Sequence, residues 1–206
     1  MSYQLYWTGF EPFGGNDYNP SWDVARAAGE ACRGAFDVSS ERLPVEFGVA
    51  ERWATESLPT DGDFAVIHVG LAETRSAVNI ERVARNHVGD RPDEAGECPG
   101  SEGTLCEGGE AVLESPVDVP DFVDKLSESL ADSGLPDVRP SDDAGSFVCN
   151  AIYFHSLRHV QRTSGDGVAL FVHVPELTPS EAENLGSRLG RVVQARTRRM
   201  VTSIAE

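Results

Sequence analysis

Cys149 stands where a turn of small residues gives way to a helical pattern of apolar side chains. The segment reads DAGSFVCNAIYFHSL, with small residues at 144–146 and a helical run over Val148–Leu157. A cysteine among apolar residues is most often a packing residue. At a helix N-terminus, however, the macrodipole favours the thiolate and lowers the thiol pKa below its reference value of about 8.5. The position therefore predicts either a core cysteine or a nucleophile that stays a thiolate below neutral pH.

Two further side chains could complete a nucleophilic site. His173 lies near the end of the apolar run ALFVHV, and Glu81 lies in the strand-like run AVNIERVARN. Taken alone, His173 is more often a hydrogen-bonded core histidine, and Glu81 is more often an exposed charge. Beside a thiol, an imidazole can carry the proton, and a carboxylate can fix the tautomer of the imidazole. Each of these signals is weak by itself, and a joint pattern is needed before a cysteine-dependent acyl transfer can be assigned.

The elements that must position these residues alternate between strands and helices. YQLYWTGF predicts a strand, NPSWDVARAAGEA a helix, FDVSSERLPV a strand and VAERWATESL a helix. The near-continuous apolar run DFAVIHVGL is typical of a central strand covered on both faces. Helices at VDKLSESLADSG and FVCNAIYFHSLRHVQ, a strand at GVALFVHVP and a C-terminal helix from Ser180 toward Ile204 follow. This order predicts a single-domain, three-layer α/β/α sandwich over residues 1–206, with a largely parallel, mixed central sheet.

In such sheets, the working site forms where strands end at their carboxyl edge and loops lead into helices. This rule selects the loop after Trp7, the loop after Val69, the turn before Cys149 and the segment around His173. We therefore expect segments that are distant in the sequence to meet at one edge of the sheet.

Charge and composition narrow the classes of function. The 206-residue chain carries 34 Asp and Glu against 17 Lys and Arg, a formal charge of −17, so no basic face for nucleic acid is expected. The chain contains no run of about 18 apolar residues and no signal-like N-terminus, which predicts a cytoplasmic protein without membrane contact. Lys125 is the only lysine, a bias expected either in a salt-rich cytoplasm or from a GC-biased genome.

The other cysteines are Cys32, Cys98 and Cys106, and their spacing is irregular. Free thiols are the default expectation for such a chain. Cys98 and Cys106 have no second pair, so a loop disulfide or two unused thiols is favoured over a zinc site. We expect no metal and no cofactor.

Four segments, in the same order along the chain, are similar to those of one known family. TGFEPFGGNDYNPSW at Thr8–Trp22, ERVARN with DRPDEAG around Glu81 and Asp93, SFVCN at Cys149 and FVHVP at His173 resemble the pyroglutamyl-peptidase, or pyrrolidone-carboxylate peptidase, family. The resemblance implies a cysteine peptidase that removes an N-terminal pyroglutamyl residue from peptides. It implies that Cys149 is the nucleophile, His173 the general base and acid, and Glu81 the carboxylate that orients the imidazole. A homo-oligomer, tetramer or dimer, is also implied.

Recognition of pyroglutamate requires flat apolar walls, with one donor and one acceptor for a neutral lactam. The loop GFEPFGG carries Phe10 and Phe13, and the resemblance implies that it packs against the ring. Phe147 and Val148, directly before the candidate nucleophile, are expected to form further walls.

Two other positions leave the substrate class open. Leu71 stands where many bacterial members of the family carry glutamine, so backbone groups would have to hold the lactam here. Arg91, in DRPDEAG, either brings positive charge to the site or forms a structural ion pair. The alternatives to a pyroglutamyl peptidase are a related hydrolase that accepts another small acyl or lactam group, and a catalytically silent binding protein.

Overall fold

Strands and helices alternate along the chain as predicted. A computed structural model describes residues 3–99 and 103–203. Its strands are β1 (Gln4–Phe10), β2 (Asp37–Leu43), β3 (Phe64–Leu71), β4 (Val78–Glu81), β5 (Val83–Arg85), β6 (Val112–Glu114), β7 (Val138–Ser141) and β8 (Gly167–Val174). Its helices are α1 (Pro20–Cys32), α2 (Phe47–Glu56), α3 (Val119–Leu130), α4 (Val148–Val160) and α5 (Pro179–Ser203).

Six strands form the central sheet, in the order β2-β1-β3-β8-β4-β7. β1, β2, β3 and β8 are parallel, whereas β4 is antiparallel to β8 and parallel to β7. β5 and β6 pair as a separate antiparallel ribbon. The sheet is therefore largely parallel and mixed, which confirms the predicted sheet type.

Helices cover both faces of this sheet. α1, α3 and α5 enclose one apolar core, and α2 and α4 enclose the other. Because successive residues of a strand point to opposite faces, β3 contributes Ile67 to the first core and Val66 to the second. β3 is buried along its whole length, so the predictions of a doubly covered central strand and of a three-layer α/β/α sandwich are confirmed. Within residues 3–99 and 103–203, no helix combines the length and the apolar character needed to span a bilayer.

Some short elements were not expected from the sequence. β6 has three residues, and β7 is an edge strand that contains Pro140. Strands of three or four residues are too short to show a clear alternation of apolar and polar side chains. An edge strand tolerates proline because it needs fewer hydrogen bonds to neighbouring strands. The run AVNIERVARN is interrupted at Arg82, which separates β4 from β5. α5 begins at Pro179, one residue before the expected start, and Ile204, toward which it was expected to extend, lies outside the described residues.

A buried histidine lies on the α2/α4 side of the sheet. His68 on β3 has no exposed surface, with Nδ1 2.7 Å from Thr8 Oγ1 and Nε2 2.9 Å from Ser156 Oγ. Its ring meets Trp53 edge-on and lies close to Phe171. Hydroxyl groups both donate and accept, so a neutral imidazole is fully satisfied here. Burial lowers the pKa of His68 to about 3, and the residue connects β1, β3 and α4.

His68 should make the free energy of unfolding depend on pH. The histidine pKa is about 6.5 in an unfolded chain and about 3 in the folded protein, so only the unfolded chain gains a proton between these values. The contribution to stability is complete above about pH 6.5 and is lost progressively toward about pH 3. We expect urea unfolding to show a loss of about 2 kcal/mol from this residue between about pH 7 and about pH 5.

His68→Gln should remove this part of the pH dependence. His87 is exposed, so His87→Gln is a matched control that should retain the dependence of the wild type. If wild type and His68→Gln lose stability equally on acidification, His68 is not the responsible group.

Candidate active site

The Cys149 thiol is held at the start of α4, against the sheet. Cys149 is the second residue of the helix and remains partly accessible. Near the end of β3, a Cβ built on Gly70 would lie 2.8 Å from Cys149 Sγ. Glycine is therefore required for this close approach. Because β3 and β8 pair with Gly70 aligned to His173, the contact places the thiol beside the strand position of the imidazole.

His173 and Glu81 form the other half of the site. His173 Nδ1 lies 2.8 Å from Glu81 Oε1, and Glu81 has 0% of its surface exposed. Their side chains share one face of the sheet because β4 and β8 pair in antiparallel register, with Asn79 opposite His173 and Glu81 opposite Phe171. The rings of Phe171 and His173 are 4.6 Å apart, so the phenylalanine also supports the imidazole.

Glu81 stays ionised although it is buried. Burial alone would raise the pKa of its carboxyl, but the hydrogen bonds that His173 and Arg75 make to Oε1, together with the nearby Ser141 hydroxyl, outweigh burial and hold that pKa below its usual value. An ionised carboxylate only accepts hydrogen bonds, so His173 carries its proton on Nδ1. Burial lowers the pKa of His173 despite the bond to Glu81. The resting imidazole is therefore neutral, with Nε2 free to accept a proton.

The resting thiol is protonated, and the prediction of a thiolate below neutral pH is wrong. Burial raises the pKa of Cys149 to about 12, and the negative charge of Glu81 acts in the same direction. Arg75 and the backbone N–H of Cys149 lower that pKa by less. The helix macrodipole is a local effect, whereas the enclosure of Sγ against the sheet depends on the fold.

Two residues of α4 fix its start against β4, which carries the carboxylate, and against β5 and the residues that follow it. Asn150 accepts from the backbone N–H of Arg85 at 2.9 Å and donates to the carbonyls of Arg85 and His87, each at 2.8 Å. Tyr153, one turn after the thiol, donates its hydroxyl to the backbone carbonyl of Glu81 at 2.8 Å. These bonds fix the thiol and the carboxylate relative to each other.

The first turn of α4 differs from those of α1 and α3. α1 and α3 begin with a side-chain acceptor, from Asn19 and Asp118 respectively, whereas Phe147 before α4 provides none. The first N–H groups of a helix have no acceptor within the helix. Those at the start of α4, including the N–H of Cys149, can therefore stabilise negative charge on an oxygen next to the thiol.

Phe13 and Phe147 form an aromatic surface next to this helix start. Their ring centroids are 6.4 Å apart, and the Arg91 guanidinium lies over both rings, 5.6 Å from the first centroid and 4.7 Å from the second. The Gly14 N–H donates to Glu94 Oε1, which attaches the Phe13 loop to the loop of Arg91. Within the described ranges Arg91 makes this cation–π contact and no ion pair, so the structural ion pair is not observed.

The remaining candidates for the pocket are buried. Phe10 is 2% exposed, and Val148 and Leu71 are also buried; Phe10 and Val148 belong to the core under α2 and α4. The structure therefore brings Phe13, Phe147 and Arg91 together at the surface. A direct contact of Phe10, Val148 or Leu71 with a ligand stays a prediction.

Three residues of the site were not identified from the sequence. Gly70 and Asn150 gave a usable signal, because Gly70 lies at the end of a buried strand and Asn150 directly follows the candidate nucleophile. Arg75 gave none, since it is one of many arginines in loops. Only the fold brings its Nη1 within 2.6 Å of Glu81 Oε1.

The other cysteines lie outside the site. Cys32 is buried and donates to the carbonyl of Gly190, whereas Cys98 is exposed and Cys106 partly so. All four cysteines are free, so the alternative of a loop disulfide is wrong. In the part of the chain that the structure describes, no group of three or more His, Cys, Asp or Glu side chains is arranged to hold a metal ion.

The raised pKa of Cys149 predicts the response of the thiol to pH. Alkylation by iodoacetamide at Cys149, followed by peptide mapping, should accelerate steadily from about pH 6 to about pH 9, because the thiolate fraction grows with pH below the pKa. The exposed thiol of Cys98 is an internal reference in the same digest. A constant rate at Cys149 over this range would indicate a preformed thiolate–imidazolium pair. It would contradict the conclusion that the resting thiol is protonated.

A family model, a related sequence and two solved structures relate the chain to known proteins. A family model described as pyroglutamyl peptidase matches residues 3–194. The pyrrolidone-carboxylate peptidase of Pyrococcus furiosus is 32% identical over 183 residues, covering 87% of this chain and 84% of that protein. The crystal structure of pyroglutamyl peptidase I from Bacillus amyloliquefaciens has a TM-score of 0.73 at 26% identity, covering 95% of this chain and 98% of that one. Pyrrolidone carboxyl peptidase from Thermus thermophilus has a TM-score of 0.73 at 28% identity, covering 92% and 98%.

These matches span most of the chain and extend over most of each related protein. They agree in fold as well as in sequence, and they confirm the resemblance carried by the four motifs. The chain belongs to the pyroglutamyl peptidase family of cysteine exopeptidases.

Proposed function

We propose that this protein hydrolyses the peptide bond that follows an N-terminal pyroglutamyl residue. Cys149 is the nucleophile, His173 the general base and acid, and Glu81 the carboxylate that orients the imidazole. The observation that carries the proposal is the bond between His173 Nδ1 and the buried Glu81 Oε1, in a site where Cys149 Sγ adjoins the strand position aligned with His173. Membership of the family supports the choice of substrate.

The first half of the reaction transfers the pyroglutamyl group to sulfur. As Sγ of Cys149 bonds to the carbonyl carbon, its proton passes to Nε2 of His173, because both groups are neutral at rest. The imidazolium that forms is stabilised by Glu81 through the bond to Nδ1. His173 then gives this proton to the nitrogen of the next residue as the C–N bond breaks, which leaves a thioester and a free amine.

Water completes the cycle. His173 takes a proton from water as the water oxygen bonds to the thioester carbon, and the proton is returned to Sγ as the C–S bond breaks. The products are free pyroglutamate and the shortened peptide. In both halves, the N–H groups at the start of α4 stabilise the oxyanion.

The aromatic surface favours a neutral ring over a free amino terminus. Phe13 and Phe147 offer flat apolar walls, and the Arg91 guanidinium lies over both. A protonated amine placed here would lose hydration and would meet a like charge. Pyroglutamate has no free amine, so its lactam avoids both costs.

Leu71 favours a second candidate function, hydrolysis of another small acyl or lactam group by the same three residues. The side chain is buried and apolar at the end of β3 and offers no amide to a lactam. The donor and the acceptor for the ring must then come from backbone groups, whose position decides which ring is accepted.

Location and assembly complete the proposal. We propose that the protein acts in the cytoplasm on peptide substrates, as a homo-oligomer, tetramer or dimer, without a nucleic-acid or membrane partner. The formal charge of −17 supports the absence of a nucleic-acid partner. Light scattering after size-exclusion chromatography measures the oligomeric state.

Release of an arylamine from pyroglutamyl-arylamide, compared with alanyl and prolyl arylamides, tests the activity. We expect turnover of the pyroglutamyl substrate alone, a loss in kcat of roughly 10²-fold or more in His173→Ala, and no turnover in Cys149→Ala. Cys98→Ala removes an exposed thiol outside the site and should match the wild type. Wild-type turnover by Cys149→Ala would exclude the thiol mechanism, and equal cleavage of the prolyl substrate would favour the second candidate.

Phe13 and Phe10 should respond differently to truncation. Phe13 is only partly buried, so Phe13→Ala should reduce kcat/KM by an amount equivalent to about 1–3 kcal/mol, with little change in unfolding free energy. Phe10 is a core residue, so Phe10→Ala should reduce the unfolding free energy by about 3–5 kcal/mol. Unchanged kcat/KM in a stable Phe13→Ala protein would place the ring of the substrate elsewhere.

A further inference from the structure

Arg75 lies in the turn after β3 and reaches back into the site. The Ala72 N–H donates to the Val174 carbonyl at 2.8 Å, and the Arg75 N–H donates to the Ala72 carbonyl at 3.0 Å. The first bond attaches the turn to β8 directly after His173. The backbone of Arg75 is thus fixed relative to the imidazole.

The guanidinium of Arg75 connects two parts of the site. Nη1 donates to Glu81 Oε1 at 2.6 Å and lies 3.5 Å from Ser141 Oγ, and Nη2 donates to the backbone carbonyl of Asp143. Ser141 ends β7, and Asp143 belongs to the turn that leads to Cys149. One planar side chain therefore joins the carboxylate to the segment before the nucleophile.

The charge of Arg75 compensates the charge of Glu81. Glu81 accepts hydrogen bonds from Arg75 and His173 on the same oxygen, Oε1. The carboxylate is fully buried, whereas the Arg75 side chain is 23% exposed. Because resting His173 is neutral, Arg75 supplies the positive charge that a buried carboxylate requires. The charged and titratable side chains that act on this cluster in the described structure are Arg75, Glu81, Cys149, Tyr153, His173 and Asp143.

We propose that Arg75 is a positioning residue for the reaction, which holds Glu81 Oε1 against His173 and keeps the segment before Cys149 in place. The inference rests on the proposed function, in which Glu81 orients the imidazole. Arg75 acts through its contacts with Glu81 and the Asp143 carbonyl and through its charge, and it is not itself a reacting group. The fixed fork of the guanidinium allows it to serve the carboxylate and the Asp143 carbonyl at once, which a lysine ammonium can do only in part.

An ion pair that only stabilises the fold would behave differently. Its loss would change the free energy of unfolding but not the pH profile of the folded enzyme. Arg75 lowers the pKa of Glu81 and the pKa of His173, so its removal raises both. A positioning role therefore predicts that the acid limb of kcat/KM moves to higher pH, because the free enzyme needs an ionised Glu81 and a neutral His173.

The test compares Arg75→Met with Arg82→Met in steady-state kinetics on pyroglutamyl-arylamide over a range of pH. Arg82 is exposed, follows Glu81 in the sequence and pairs with Asp142, so it controls for loss of a cation on the same segments. Arg75→Met should lower kcat by about 10- to 100-fold, by analogy with the loss caused by removing a residue that orients a metal-bound histidine. KM should change by less than about threefold, and the acid limb should move upward. Arg82→Met should match the wild type.

Two further variants make the result specific to Glu81. Arg75→Lys keeps the charge, and should restore the acid limb but only part of kcat. In a Glu81→Gln background, adding Arg75→Met should lower kcat by less than it does in the wild type, because the contact with the carboxylate is already altered and only the contact with the Asp143 carbonyl is left to lose. A wild-type pH profile of kcat/KM in Arg75→Met would overturn the inference. So would an equal loss of kcat from Arg75→Met in the wild-type and Glu81→Gln backgrounds. If Arg75→Met does not fold, Arg75→Lys decides, since wild-type kcat in that variant would also overturn it.

Alkylation of Cys149 separates this inference from the proposed function. The rate with iodoacetamide needs no substrate, and should fall several-fold in Arg75→Met but not in Arg82→Met, because Arg75 lowers the pKa of the thiol. If the wild type does not cleave pyroglutamyl-arylamide while this contrast persists, the substrate assignment fails and the positioning role stands. Equal alkylation rates in the two variants overturn the positioning role for any substrate.

Discussion

A carboxylate with no exposed surface determines how the rest of the site is built. Glu81 must be ionised to fix the His173 tautomer, yet an isolated buried carboxyl group would become neutral. Hydrogen bonds from His173 and Arg75 to Oε1, and the Ser141 hydroxyl nearby, prevent this. These three groups come from different segments, namely β8, the turn after β3 and the end of β7. The positions of these segments are therefore coupled through one negative charge.

The direction of β4 explains why Glu81 is buried so deeply. Because β4 is antiparallel to β8, it enters the sheet at the edge where β8 ends, so Asn79 lies opposite His173 and Glu81 lies opposite Phe171. Glu81 therefore lies two residues further from this edge of the sheet than the position opposite His173. A parallel strand in this position would place its last residue at the same edge as His173, where solvent is closer. The single reversal in a largely parallel sheet creates a buried orienting carboxylate.

This reversal also marks how far the sequence could predict the site. The apolar runs of β3 and β8 predicted buried strands because their composition alone reports burial on both faces, and the strand-end rule selected the segments of Cys149 and His173. The rule did not select Glu81, which was identified from the family motif. A run of four residues does not show whether its strand is parallel or antiparallel, so the sequence did not reveal that Glu81 lies beside His173. Arg75 was missed because its contact with Glu81 depends on the pairing of β4 with β8. The predicted thiol pKa was too low because the burial of Sγ beside Gly70 depends on the tertiary structure.

The resting charges of the site determine when charge separation occurs. Arg75 and Glu81 are already paired in the folded protein, whereas the Cys149 thiol and the His173 imidazole are neutral. An imidazolium therefore forms only as sulfur attacks, and it forms next to a carboxylate that needs no reorientation. A neutral thiol and a neutral imidazole add no charge to the site, whereas the Arg91 guanidinium over the walls of Phe13 and Phe147 disfavours a protonated amine. A site built in this way is suited to a neutral lactam, because the charge needed for catalysis appears only after the ring is in place.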